Sequence, residues 1–150
     1  MQRRTVCAGL IGGLTLPSSM VISAMPNRAI NANGHSYAQA QLVTAPARLL
    51  FISGQVPADA QDQVPKTFEE QCRLTWRNVE SQLKAAGMAL TDLVKVTVFL
   101  SDRQYRAANA AVRKEVLGTH TPALTIIITG IYDEEWLLEI EAIAADPRRA

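Results

Sequence analysis

Residues 122–144 read PALTIIITGIYDEEWLLEIEAIA, two β-type runs joined by an acidic turn. The first run, residues 124–129, is unbroken β-branched and apolar sequence, the pattern of a strand buried on both faces or lying at an interface. The second run alternates. Leu138, Ile140 and Ala142 point one way and Glu139 and Glu141 the other, because successive side chains of a strand face opposite sides. Two carboxylates on one strand face form either an ordinary wetted surface or the acidic wall of a pocket, and the periodicity leaves both open.

The stretches upstream supply partners for these strands. Residues 94–100 alternate again, with Val94, Val96, Val98 and Leu100 on one side and Lys95, Thr97 and Phe99 on the other. Two amphipathic helices flank this strand. Thr67 and Glu70 have capping-box spacing, and Phe68, Cys72, Trp76, Val79 and Leu83 recur every three or four residues as an apolar stripe that Gly87 ends. Ser101 or Asp102 caps a second helix over residues 103–117, whose stripe is Tyr105, Ala108, Val112 and Val116. Asn109 lies beside that stripe, so its amide needs a partner in a neighbouring loop or a ligand; left unpaired in a core it would cost on the order of 1–3 kcal/mol.

Two shorter strands come first, residues 36–43 and 49–53. The latter ends at Gly54-Gln55, where the glycine permits a backbone conformation or a close approach that a side chain would block. It serves either as a tight exit from the sheet or as a small-molecule contact. The order β-β-α-β-α-β-β predicts one sheet with both helices on a single face. Phe99 and Ile127 then need cover on the other face, and symmetric self-association is the economical way to provide it.

Composition narrows the function. The chain has 150 residues, enough for one domain, and its 15 Lys and Arg nearly balance 14 Asp and Glu. The bases are dispersed and not interleaved with aromatics, so no nucleic-acid footprint is present. His35 and His120 have no Cys or His at ligand spacing, and Cys7 and Cys72 cannot build a cluster, which predicts no metal. Cys72, on the apolar face of the first helix, is expected to pack as a plain thiol. Residues 1–25 form an N-terminal extension ahead of a domain over 26–150. Arg3 and Arg4 before a punctuated apolar run resemble a leader, which would export the protein. A start at Met25 or a simple N-terminal arm would leave it cytoplasmic. No apolar run reaches membrane-spanning length.

Several short motifs carry a family resemblance. They are Tyr37-Ala38-Gln39-Ala40, the run from Leu50 through Ser53-Gly54-Gln55 to Pro57, Gln71 with Asn78, the strand from Val94 to Asp102, Asn109, Pro122-Ala123, and the closing Glu139-Ile140-Glu141-Ala142-Ile143-Ala144. Together they resemble the Rid family, also called RidA or YjgF-like proteins or L-PSP endoribonucleases. The resemblance implies a chorismate-mutase-like α+β fold, a mixed sheet with two helices on one face, assembled as a homotrimer with a small-molecule pocket at each subunit interface. It implies hydrolysis of reactive enamines and imines to a 2-keto acid and ammonia, without a cofactor, with Glu139 handling protons and Tyr37, Gly54 and Asn109 shaping the substrate pocket.

Leu124 breaks the pattern. Family members of known activity carry an arginine directly after Pro-Ala to grip the substrate carboxylate through a bidentate pair, which leucine cannot form. Either the pocket takes a less anionic imine, enamine or carbonyl compound, by catalysis or by binding alone, or another cation replaces the missing one. Arg48, Arg103, Arg106 and Arg113 are candidate arginines outside the termini. The endoribonuclease name finds no support, since no basic groove, stacking stripe or pair of acid/base histidines is present.

Overall fold

The structure is a computed structural model and describes residues 27–147 except 34, 35, 45 and 47, with the side chain of Asn33 also left aside. The expectations for residues 1–25, for Cys7 and for His35 fall outside the described residues. Six strands and two helices follow in order: β1 Arg28–Asn33, β2 Tyr37–Leu42, β3 Arg48–Gln55, α1 Phe68–Ala85, β4 Leu93–Leu100, α2 Arg106–Leu117, β5 Ala123–Ile128 and β6 Leu138–Asp146.

The strands form one mixed sheet in the order β1-β2-β5-β4-β6-β3. β4 and β5 run parallel, joined by the α2 crossover, while β6 pairs antiparallel with both β4 and β3. The run at residues 122–144 therefore holds the middle of the sheet: its two arms embrace β4 from either side. Pairing sets Val96, Val98 and Leu100 level with Leu124, Ile126 and Ile128 on the side of the helices. Leu138, Ile140, Ala142 and Ala144 continue that face, and all four are buried.

Both helices cover this one face, and the core lies between them and the sheet. Thr67 caps α1, its hydroxyl accepting from the Glu70 amide and donating to the Glu70 carboxylate at 2.8 Å. The stripe of Phe68, Cys72, Trp76, Val79 and Leu83 is buried as its spacing predicts. α2 begins later than its sequence suggests, because Asp102 first caps a short 3-10 turn, Arg103–Tyr105, that leads into it. Its buried side is also rotated. Val112 is joined there by Asn109, Arg113 and Leu117, whereas Tyr105, Ala108 and Val116 are only partly buried.

Two side-chain amides on α1 pin loops to the fold. Nε2 of Gln71 donates to the Pro65 and Glu135 carbonyls, and its Oε1 accepts from the Leu137 amide, tying the turn before β6 to the helix. Nδ2 of Asn78 donates to the Val56 and Ala58 carbonyls and holds the exit of β3. Buried amides with several backbone partners fix a loop where no apolar contact could.

The other face of the sheet is open. Phe51 is 71% exposed and Leu49 52%, and Ile127 shares their side. β5 differs here from the reading of a strand buried on both faces: residues 125–128 are exposed within one chain, which leaves the interface reading. Among the described residues no helix is long and apolar enough to cross a membrane.

Candidate functional site

The five residues singled out from sequence separate into two groups on opposite faces of the sheet. On the helix side, β2 touches β5 at a single register pair, Ala38 with Ala123, reinforced by the Ala38 amide donating to the Pro122 carbonyl at 3.0 Å. Beyond that contact the strands diverge, and a cavity of about 760 Å³ opens between β5, α2 and the start of β2. Tyr37 and Leu124 both line it, with Leu100, Ile126 and Ile128 completing an apolar floor. Its remaining wall is cationic: Arg103, Arg106 and Arg113 all face the cavity.

The helix explains how they converge. Arg106, Ala110 and Arg113 repeat at four and three residues and so share one side of α2. Arg103 and Arg106 are exposed, while Arg113 is buried. Burial pulls the Arg113 guanidinium below its ordinary pKa, an effect opposed by the neighbouring Cys72 and Tyr37. A guanidinium titrates so far above neutrality that it stays charged all the same. Arg48, the fourth candidate cation, is engaged elsewhere. It pairs with Asp146 at 2.6 Å and donates to the Ala86 carbonyl at 2.9 Å.

Asn109 sits on α2 one turn before Arg113 and is fully buried. Neither of its amide atoms finds a hydrogen-bond partner among the described residues. The partner its position calls for is therefore not a neighbouring loop of the same described chain.

Gly54 and Glu139 meet on the opposite face. A Cβ built on Gly54 would overlap Oε1 of Glu139 and lie 2.6 Å from its carboxyl carbon. The glycine is needed for this close approach. Its backbone is not in the left-handed region, where Gly87 and Gly118 are found. The register irregularity between Ile52 and Gln55 brings the β3 backbone under the carboxylate. On its other side Glu139 is level with Phe99 of β4. Gln55 turns away from this surface: it donates to the Ser53 carbonyl and accepts from Gln82, and so finishes the strand.

Cys72 is a free, fully buried thiol whose pKa desolvation pushes up to about 12. It is packing, as its stripe predicts, and burial keeps it protonated at neutral pH. No group of three or more His, Cys, Asp and Glu among the described residues could hold a metal. The three cavity arginines are the residues the sequence could name without placing. The four-and-three spacing of Arg106, Ala110 and Arg113 was the signal, adjacent to the apolar stripe.

A mixed six-stranded sheet with both helices on one side defines the class of small Rid proteins. The fold superposes on the Rid-family protein YyfB of Yersinia pestis with a TM-score of 0.71 at 24% identity, covering 81% of this chain and 99% of the other. Escherichia coli TdcF, solved with bound serine, matches with a TM-score of 0.62 at 32% identity over 79% and 93% of the two chains. In sequence, the mitochondrial protein mmf2 of Schizosaccharomyces pombe is 41% identical over 101 residues, 65% of this chain and 80% of its own. The family described as Endoribonuclease L-PSP matches residues 27–146. The chain thus belongs to the RidA/YjgF-like family, which includes proteins named as reactive intermediate deaminases, TdcF among them.

Proposed function

We propose that this chain hydrolyses a small anionic imine or enamine to a keto compound and ammonia, at a site shared between two copies, with arginines of α2 and the turn before it replacing the absent cation at Leu124. The observation that carries the reading is the clustering of Arg103, Arg106 and Arg113 around the cavity that also contains Leu124 and Tyr37. A cavity without a basic side chain would have favoured the less anionic ligand; three guanidinium groups favour a carboxylate.

The two residue groups supply different parts of the chemistry. The cavity binds and orients the anion, and Glu139 beside Gly54 moves protons. Because they lie on opposite faces of one sheet, a second copy must lay its Gly54 and Glu139 against the cavity of the first. A homotrimer of chorismate-mutase-like form provides three such junctions. Water adds to the C=N carbon as the π electrons pass to nitrogen, and Glu139 takes the water proton and returns it to that nitrogen. Glu139 then carries the hydroxyl proton of the resulting carbinolamine to its amine nitrogen, and the C–N bond breaks with its electron pair leaving on ammonia as the oxygen electrons form the C=O.

The test is ammonia release from freshly generated 2-aminoacrylate-derived imine, corrected for spontaneous hydrolysis. The protein should accelerate it, and Glu139→Gln should lower the rate by about 100-fold or more without changing thermal stability appreciably. Absence of acceleration by a folded oligomer would overturn the catalytic reading and leave a ligand-binding protein.

A further inference from the structure

We infer that the cavity selects a monocarboxylate with a long hydrocarbon tail, a 2-imino acid or its 2-oxo product bound carboxylate-first; this rests on the reading of the cavity as the substrate site. The anion has one seat. Arg103 follows the last residue of β4 by three positions and Arg106 opens α2, so both stand by Leu100 and Ile128, which are level where β4 and β5 end. Both arginines are exposed, and neither guanidinium is engaged in an ion pair or hydrogen bond among the described residues. Arg113, the third cation of the wall, is buried and already has an interaction partner, so it calls for no second anion.

From that seat the cavity runs back along β5 over hydrocarbon. Leu124, Ile126 and Ile128 alternate onto the helix side of the strand and make one stripe, about 13 Å long over four residues of strand rise. Ala110 faces it from α2, and Tyr37 stands at the far end, beside the contact of Ala38 with Ala123. Ile126 is 37% exposed and Ile128 38%, so the stripe is wetted in the single chain and gains from being covered. A three-carbon imine held at Arg103 and Arg106 would leave Ile126 and Leu124 in water, in a cavity of about 760 Å³, a volume that encloses much larger ligands. Neither the stripe nor Ala110 has a hydrogen-bonding side chain, so a polar substituent on the tail would lose water there without a replacement. An unbranched tail of methylenes meets every one of these conditions.

The experiment measures the affinities of 2-oxopropanoate, 2-oxopentanoate and 2-oxooctanoate by titration calorimetry on the intact protein. Affinity should rise about threefold with each added methylene, and 2-oxooctanoate should bind about 100-fold more tightly than 2-oxopropanoate. The double variant Ile126→Thr, Ile128→Thr should flatten this rise; both positions are more than a third exposed and threonine keeps the β-branch, so the strand is retained. The double variant Arg103→Gln, Arg106→Gln should weaken all three compounds by about the same factor, roughly tenfold, and keep the rise. Equal affinity for the three acids, a rise that survives in the threonine variant, no loss in the glutamine variant, or binding of none at millimolar concentration would each overturn the inference. Ammonia release without a dependence on chain length would remove the tail selectivity and leave the hydrolysis standing. A rise with chain length but no ammonia release would do the reverse.

Discussion

At Gly54 a methyl group would collide with the carboxylate of Glu139, and the pair can separate only by moving that carboxylate. Gly54→Ala is therefore a way to displace the proposed proton carrier without removing it. The substitution should cost little stability, because the group displaced is the end of a flexible, half-exposed side chain, and lower ammonia release by about 100-fold. Thermal unfolding and the ammonia assay measure the two effects separately, and full activity in this variant would remove Glu139 from the mechanism. The sequence could name both residues, but it offered two reasons for the glycine and no means of choosing. The choice depends on a register irregularity between β3 and β6, two strands far apart in the chain, which no local pattern encodes. Asn109 is a similar case. Its place beside a helical stripe was legible, yet its full burial without a partner among the described residues follows from a rotation of α2 that packing decides.

At the level of elements, α1 acts as a frame for loops as well as a lid on the sheet. Gln71 alone satisfies two carbonyls and one amide from segments before and after it in sequence. Gln71→Ala should lower stability by about 2 kcal/mol, measured as a shift of the urea midpoint. Gln71→Glu should be comparably damaging, because a carboxylate can accept from Leu137 but cannot donate to Pro65 and Glu135. An unchanged midpoint in both would mean that water replaces these bonds without cost. Alternation and helical spacing made β4, β6, α1 and α2 legible. β1 was missed: RAINAN has little apolar alternation, and Asn31 interrupts it with a φ of 51°. It pairs with β2 through the backbone, and backbone pairing leaves no trace in side-chain pattern.

For the whole molecule, the open face of the sheet is the decisive feature. Phe51 and Leu49 stand on the edge strand β3 beside Ile143, on the same side as Glu139. An exposed apolar edge of this kind is covered in stable proteins, and in the proposed shared site a second copy covers it. Light scattering at micromolar concentration should find an oligomer, and Phe51→Glu should convert it to a folded monomer that releases no ammonia. A monomeric parent protein would end the shared-site reading. That this face carries apolar side chains was legible from the strand sequences; strand order and the splay between β2 and β5 were not, since both arise from pairings between distant segments.

Placing Gly54 with Glu139 on one face and the arginine cavity on the other has a consequence for inheritance as well as chemistry. In a site shared between copies, damage belongs to junctions and not to chains. On the proposed shared site, a subunit that had lost Glu139 would still lend an intact cavity to one neighbour, while spoiling the cavity of the other. Mixed assemblies of a normal and an altered allele would then lose sites in proportion to junctions, and two alleles broken on opposite faces could restore each other where their sound faces meet.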